Sequence, residues 1–172
     1  MSTSLELFFA PLASLLTEIW IILVNYISNM QNNLIAKSTI TINAPASKVW
    51  EALTSAEMIK KYLFGTQVTT DWKEGSPITY KGVWEGKEYE DKGTILKIEP
   101  ERLLVSTYWS SIAGLADEPE NYKKVTYELT SNDGGTELTI TQDNNATEEE
   151  KNHSERNWKM VLTSLKELLE NN

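Results

Sequence analysis

The chain has no cysteine and a single histidine, His153, among its 172 residues. Disulfides, a thiolate nucleophile and a thiolate zinc site are therefore excluded, and one imidazole leaves a metal site short of ligands. Positive charge is scarce as well: 16 Lys plus Arg stand against 25 Asp plus Glu, a formal charge of -9. Such a surface repels phosphate backbones, which removes nucleic acid from the expected partners. Only 8 Gly and 5 Pro are present, and no phosphate loop, dinucleotide fingerprint or Gly-x-Ser-x-Gly elbow occurs. Nucleotide hydrolysis, hydride transfer and serine hydrolysis lose their usual support, and no cofactor or metal is expected. The cysteine-free composition fits a reducing compartment, here the cytoplasm.

Residues 1–29 lack Lys and Arg altogether. A secretory signal needs a basic start, so that reading is set aside. Apolar residues from Leu5 to Tyr26 follow helical spacing, with Ser4, Glu18 and Asn25 on a narrow polar stripe. A membrane span over this stretch would bury Glu18 near mid-bilayer at a cost of about 2.5–3.5 kcal/mol. Three readings stand: a dispensable extension upstream of Met30, a helix contacting a membrane surface, or an oligomer helix. Any membrane contact runs through this segment alone, and 30–172 is expected to be one domain, about the usual size.

Within that domain, Leu34, Ala36, Ser38, Ile40 and Ile42 alternate with wetter residues, the pattern of a strand with one buried face. Pro45 stops it. Short helices follow over 47–53 and 56–63, the second with Ser55 as N-cap and Glu57 in its first turn. Strands are expected over 67–72, 77–84, 87–98, 102–109, 122–130 and 136–142, joined by Glu85-Gly86 and Asn132-Asp133-Gly134-Gly135 turns suited to hairpins. Thr147 and Glu150 form a capping box at the start of a last helix, along which Trp158, Val161, Leu162, Leu165, Leu168 and Leu169 make an apolar stripe. The order is an antiparallel meander closed by one long helix, an α+β arrangement.

Several words in that order carry a resemblance. They are Asn43-Ala44-Pro45 through Val49-Trp50 and Ala52-Leu53-Thr54, Gly93-Thr94-Ile95 through Ile98-Glu99-Pro100, Val125-Thr126-Tyr127, Gly134-Gly135-Thr136-Glu137-Leu138, and Trp158 through Leu165. Over about 34–170 the chain resembles the SRPBCC (START-like, helix-grip) superfamily, in its branch related to the C-terminal domain of the activator of the ninety-kilodalton heat-shock protein ATPase. The resemblance implies a seven-stranded curved antiparallel sheet wrapped around the C-terminal helix, two small helices after strand one, and a hydrophobic cavity between helix and sheet. It implies no catalytic signature. Tyr62, where the family often has Trp, and Gly75-Ser76, where it often has two glycines, depart from the pattern near the expected cavity mouth.

The function expected on this basis is non-enzymatic binding of a small hydrophobic molecule. The residues expected to line its site are Tyr80, Trp84, Tyr89, Trp109 and Tyr127 from the strands, with Trp158, Val161 and Leu165 from the helix, since aromatic walls with a few hydroxyls orient apolar ligands. Their strand faces are exposed to register error. A protein-interaction module with a protein partner is the first alternative, and an enzyme using the same cavity the second. Asp71, Glu74, Glu88, Glu90 and Asp91 would serve as acid or base only if one of them is buried.

Overall fold

A computed structural model describes residues 18–23 and 34–171. The chain divides into two compact units, Met1–Asn33 and Leu34–Asn172. Of the first, residues 18–23 are helical and expose Ile19, Trp20, Ile21, Ile22 and Leu23. The remaining expectations for residues 1–29 lie outside the described residues. Among those that are described, no helix is long and apolar enough to cross a membrane.

The second unit is the expected helix-grip. Strand β1 (Leu34–Ile42) leads into helices α1 (Ala46–Thr54) and α2 (Ala56–Tyr62). Strands β2 (Gln67–Thr69), β3 (Pro77–Trp84), β4 (Lys87–Glu99), β5 (Leu103–Tyr108), β6 (Lys123–Asn132) and β7 (Gly135–Asn145) follow, and helix α3 (Glu148–Glu170) closes the chain. All seven strands form one antiparallel sheet in the order β1-β7-β6-β5-β4-β3-β2. β2 ends at Thr69, short of the 67–72 reading, and Trp72 takes a left-handed backbone (φ 56) in the turn that follows. β7 runs three residues past its expected end, since the Asn145 side chain donates to the Leu34 carbonyl (2.7 Å) and holds the first rung of the β1 pairing.

One face of the sheet carries Ile42, Leu138 and Ile140, Val125 and Leu129, and Ile78, all buried together with Val49 and Leu53 of α1 and Leu162 and Leu165 of α3. α3 does more than fill this concave face. Its backbone runs closest to β1, a free edge strand. Glu155 accepts from the Lys37 amide (3.2 Å), Glu170 from the Asn43 amide (2.6 Å), and Lys166 donates to the Thr41 carbonyl (2.7 Å). The helix thereby satisfies edge groups that would otherwise template another strand.

The helix start is pinned by more than a capping box. Thr147 accepts from the Glu150 amide (3.1 Å), while the Glu150 carboxylate takes the Ala146 amide (2.8 Å) and pairs with Lys123 of β6. Gln142, Asn145 and Ser154 hydrogen-bond one another in the buried interior, and Gln142 also accepts from the Trp158 indole (3.0 Å). Sheet and helix are thus joined by directional bonds as well as by packing.

The curvature has a local cause on β4. The β4–β5 register slips between Ile95 and Lys97, a bulge, and just before it a Cβ at Gly93 would overlap the backbone carbonyl of Thr107. Only glycine lets the strands approach so closely there. The Gly93→Ala variant should lose about 1–3 kcal/mol of stability, the usual cost of overpacking. Urea unfolding followed by circular dichroism measures this, and an unchanged midpoint would contradict it.

Candidate functional site

The pairing registers decide which aromatics face α3. Tyr80 on β3 lies opposite Asp91 on β4, and Leu104 on β5 opposite Tyr127 on β6, so Tyr80, Asp91, Tyr108 and Tyr127 project from the same face. Tyr80 and Tyr108 meet edge to face with centroids 6.2 Å apart, as do Tyr127 and Trp158 at 5.9 Å. Such pairs add about 0.5–1.5 kcal/mol beyond simple burial. Tyr62, at the end of α2, joins them. These five rings come from α2, three strands and α3, and they cover the outer half of the concave face, beyond the strands on which α3 lies. Four of the five rings are only half-buried, so they form an open crevice on the concave face rather than the enclosed cavity implied by the resemblance. Two shallow hollows lie elsewhere, one of about 450 Å³ beside Phe64, Arg156 and Met160, the other of about 430 Å³ between residues 43–46 and 131–135.

The phenols divide by what their hydroxyls do. Tyr108 donates to Asp91 (2.6 Å), whose other oxygen takes the amide and hydroxyl of Ser111 (2.8 and 3.1 Å). Tyr89 is tied to Thr66 (2.6 Å), and its ring covers Gly82, where a Cβ would stand 2.6 Å from the hydroxyl oxygen. Tyr62, Tyr80 and Tyr127 have no hydrogen-bond partner among the described residues, and every side-chain polar atom wholly cut off from solvent does have one. Their hydroxyls therefore still reach solvent. Burial raises all four crevice phenols above the ordinary tyrosine pKa, the Asp91 carboxylate adds to the rise at Tyr108, and neighbouring phenols add to it at Tyr62, Tyr108 and Tyr127.

Of the residues expected to line the site, the structure brings Tyr80, Tyr127 and Trp158 to the crevice, with Val161 packed at its base and Leu165 wholly inside the core. Tyr89 seals the corner among β2, β3 and β4. Two residues go elsewhere. Trp109 lies opposite Lys92 on the far face, with the ammonium 5.5 Å from its ring and its indole bonded to Ala116 (3.1 Å). Trp84 ends β3 at the hairpin tip and is 47% exposed, beyond the reach of any covering element. Tyr108, next to Trp109 in the chain, faces inward in place of the expected Trp109, a shift of one residue that reverses the face. Among the five acids weighed, Asp91 alone is buried, at 5% exposure, and its oxygens are already bonded. His153 is exposed, and no group of potential metal ligands occurs among the described residues.

With this geometry established, the comparisons are specific. The family model described as "Activator of Hsp90 ATPase homolog 1-like protein" matches residues 43–170. The chain belongs to this family. Among solved members of the same fold, ChR145 from Cytophaga hutchinsonii is 54% identical, with 80% of this chain and 94% of that one covered and a TM-score of 0.72. The Aha1 dimer from Colwellia psychrerythraea matches at 21% identity, 80% and 96% coverage and a TM-score of 0.62. MLL2253 from Mesorhizobium loti matches at 21% identity, 81% and 98% coverage and a TM-score of 0.63. No curated protein matches the chain. In this Hsp90-activator-like chain the helix-grip frame brings the tyrosines together on one face of the sheet.

Below about pH 10 the crevice phenols are protonated in both the folded and unfolded chain. Above it the unfolded chain releases protons that the folded chain keeps, so stability should fall as pH rises. Phenolate absorbance should show Tyr62, Tyr80, Tyr108 and Tyr127 failing to ionise until the fold is lost, out of seven tyrosines in all. Ionisation of all seven near pH 10 with circular dichroism intact would contradict the burial described.

Proposed function

We propose that the chain is a non-enzymatic binding module that takes a small apolar molecule between the Tyr80–Tyr108 and Tyr127–Trp158 pairs. The observation that carries this reading is the convergence of five large rings, from five separate elements of the chain, on one crevice where the Tyr62, Tyr80 and Tyr127 hydroxyls still meet water. A plain core would place aliphatic groups there, as it does between Ile42, Leu138, Ile140 and Leu162. Aromatic walls with a few polar groups are the usual lining of sites for apolar ligands. The one buried acid is saturated by donors, which favours binding over acid-base catalysis.

A second reading is a protein-interaction module, as the family description of an ATPase activator invites. The observation favouring it is the β3–β4 hairpin tip, where Val83 (62% exposed) and Trp84 stand in solvent. The two readings place function on different residues, the crevice rings in one and the hairpin tip in the other.

The full chain titrated with the neutral fluorophore N-phenyl-1-naphthylamine should show saturable binding that apolar compounds displace. Ligand at one hundred times Kd should add about 2.7 kcal/mol to stability. Binding should weaken at least about tenfold in Tyr127→Ala and persist in Trp84→Ser, as expected when a wall ring rather than a remote one is removed. Absence of saturable binding, or its loss only in Trp84→Ser, would overturn the reading.

A further inference from the structure

The crevice has three phenol hydroxyls, of Tyr62, Tyr80 and Tyr127, with no hydrogen-bond partner among the described residues. We infer that it selects neutral apolar molecules bearing hydrogen-bond acceptor oxygens, such as aryl ketones, which Tyr62, Tyr80 and Tyr127 hold by donation, and that it rejects carboxylates. This rests on the binding role proposed above and names the ligand's chemistry.

A tyrosine hydroxyl is one donor with acceptor capacity, and a half-desolvated one without a partner costs free energy that a bound acceptor recovers. The other phenols on this face are not available, since Tyr108 is spent on Asp91 and Tyr89 on Thr66. Burial holds the three in the protonated, donating form. An acceptor-free hydrocarbon would fill the space but leave all three donors with water or nothing.

Charge sets the second half of the selection. Asp91 lies directly across from Tyr80 in the β3–β4 pairing. A ligand carboxylate would be desolvated beside it. Lys123, opposite Tyr108 across β5 and β6, is committed to Glu150 and the Asn144 carbonyl and cannot compensate. A cationic amine gains little, because both Asp91 oxygens already accept from Tyr108 and Ser111.

Three probes of one ring system separate these terms: 2-acetylnaphthalene, 2-ethylnaphthalene and 2-naphthoate, each measured at pH 7 by displacement of N-phenyl-1-naphthylamine from the full chain. The ketone should bind about 3- to 10-fold more tightly than the hydrocarbon, as one recovered hydrogen bond implies. The naphthoate should bind at least about tenfold more weakly than the ketone. Tyr80→Phe and Tyr127→Phe keep the rings, and their thermal unfolding reports that the fold is intact. At least one of the two should remove the ketone's advantage, and both should leave 2-ethylnaphthalene unchanged. Equal binding of ketone and hydrocarbon, silent Phe variants, or a naphthoate that binds as tightly would overturn the acceptor selection and leave the binding role standing. Failure of all three probes, with the fluorophore itself not bound, would overturn both.

Discussion

The covering of β1 by α3 is the constraint on which the rest of the molecule depends. A seven-stranded open sheet has two edges, and at one of them Glu155, Lys166 and Glu170 bond backbone groups of the edge strand. The helix can reach those groups only by lying over β1 and β7. That placement is reinforced by Lys123 with Glu150 and by the buried Gln142, Asn145 and Ser154 contacts at the helix start. Buried polar bonds of this kind fix one arrangement of helix on sheet, since a slip would leave each partner desolvated and unpaired.

The same placement leaves the outer half of the concave face, on β3, β4 and β5, without a helix over it. Large side chains close the gap. Tyr80 and Tyr108 lean on each other, while Trp158 reaches from α3 to Tyr127 and donates a hydrogen bond to Gln142. Rings fill breadth that aliphatic groups could not, but they bring hydroxyls with them. Tyr108 and Tyr89 find partners within the sheet and its corner; Tyr62, Tyr80 and Tyr127 do not. The chemistry of the crevice follows from how the fold solves its packing.

The architecture was legible because its signals are local. Alternation in β1, the Pro45 stop, the Ser55 and Thr147 caps and the 3–4 spacing of the α3 stripe each depend on a few neighbouring residues, and the structure has each in place. The site was legible only in part. Type and spacing pick out Tyr80, Tyr127 and Trp158, which lie on the concave side, but not Tyr108 over Trp109, because strand parity is fixed by pairing partners rather than by the strand's own sequence. Trp84 continues the inward parity of β3, yet the sheet has run out beneath α3 by that point. Asp91 looked like one acid in an acidic hairpin, and its burial depends on Tyr108 and Ser111, 17 and 20 residues away. Tyr62 carried a faint signal, as a departure from the family's usual Trp.

The account turns on whether an apolar ligand goes among the tyrosines rather than to the outer face of α3. Protein labelled with carbon-13 at the tyrosine ζ position, titrated with 2-acetylnaphthalene and observed by NMR, answers this at the level of single rings. The account predicts saturable shifts at Tyr62, Tyr80 and Tyr127, with Tyr122, in the β5–β6 connection and bonded to Asp117, unmoved. Saturable binding with all the tyrosine signals unmoved, and shifts instead at a labelled Phe64, would contradict it.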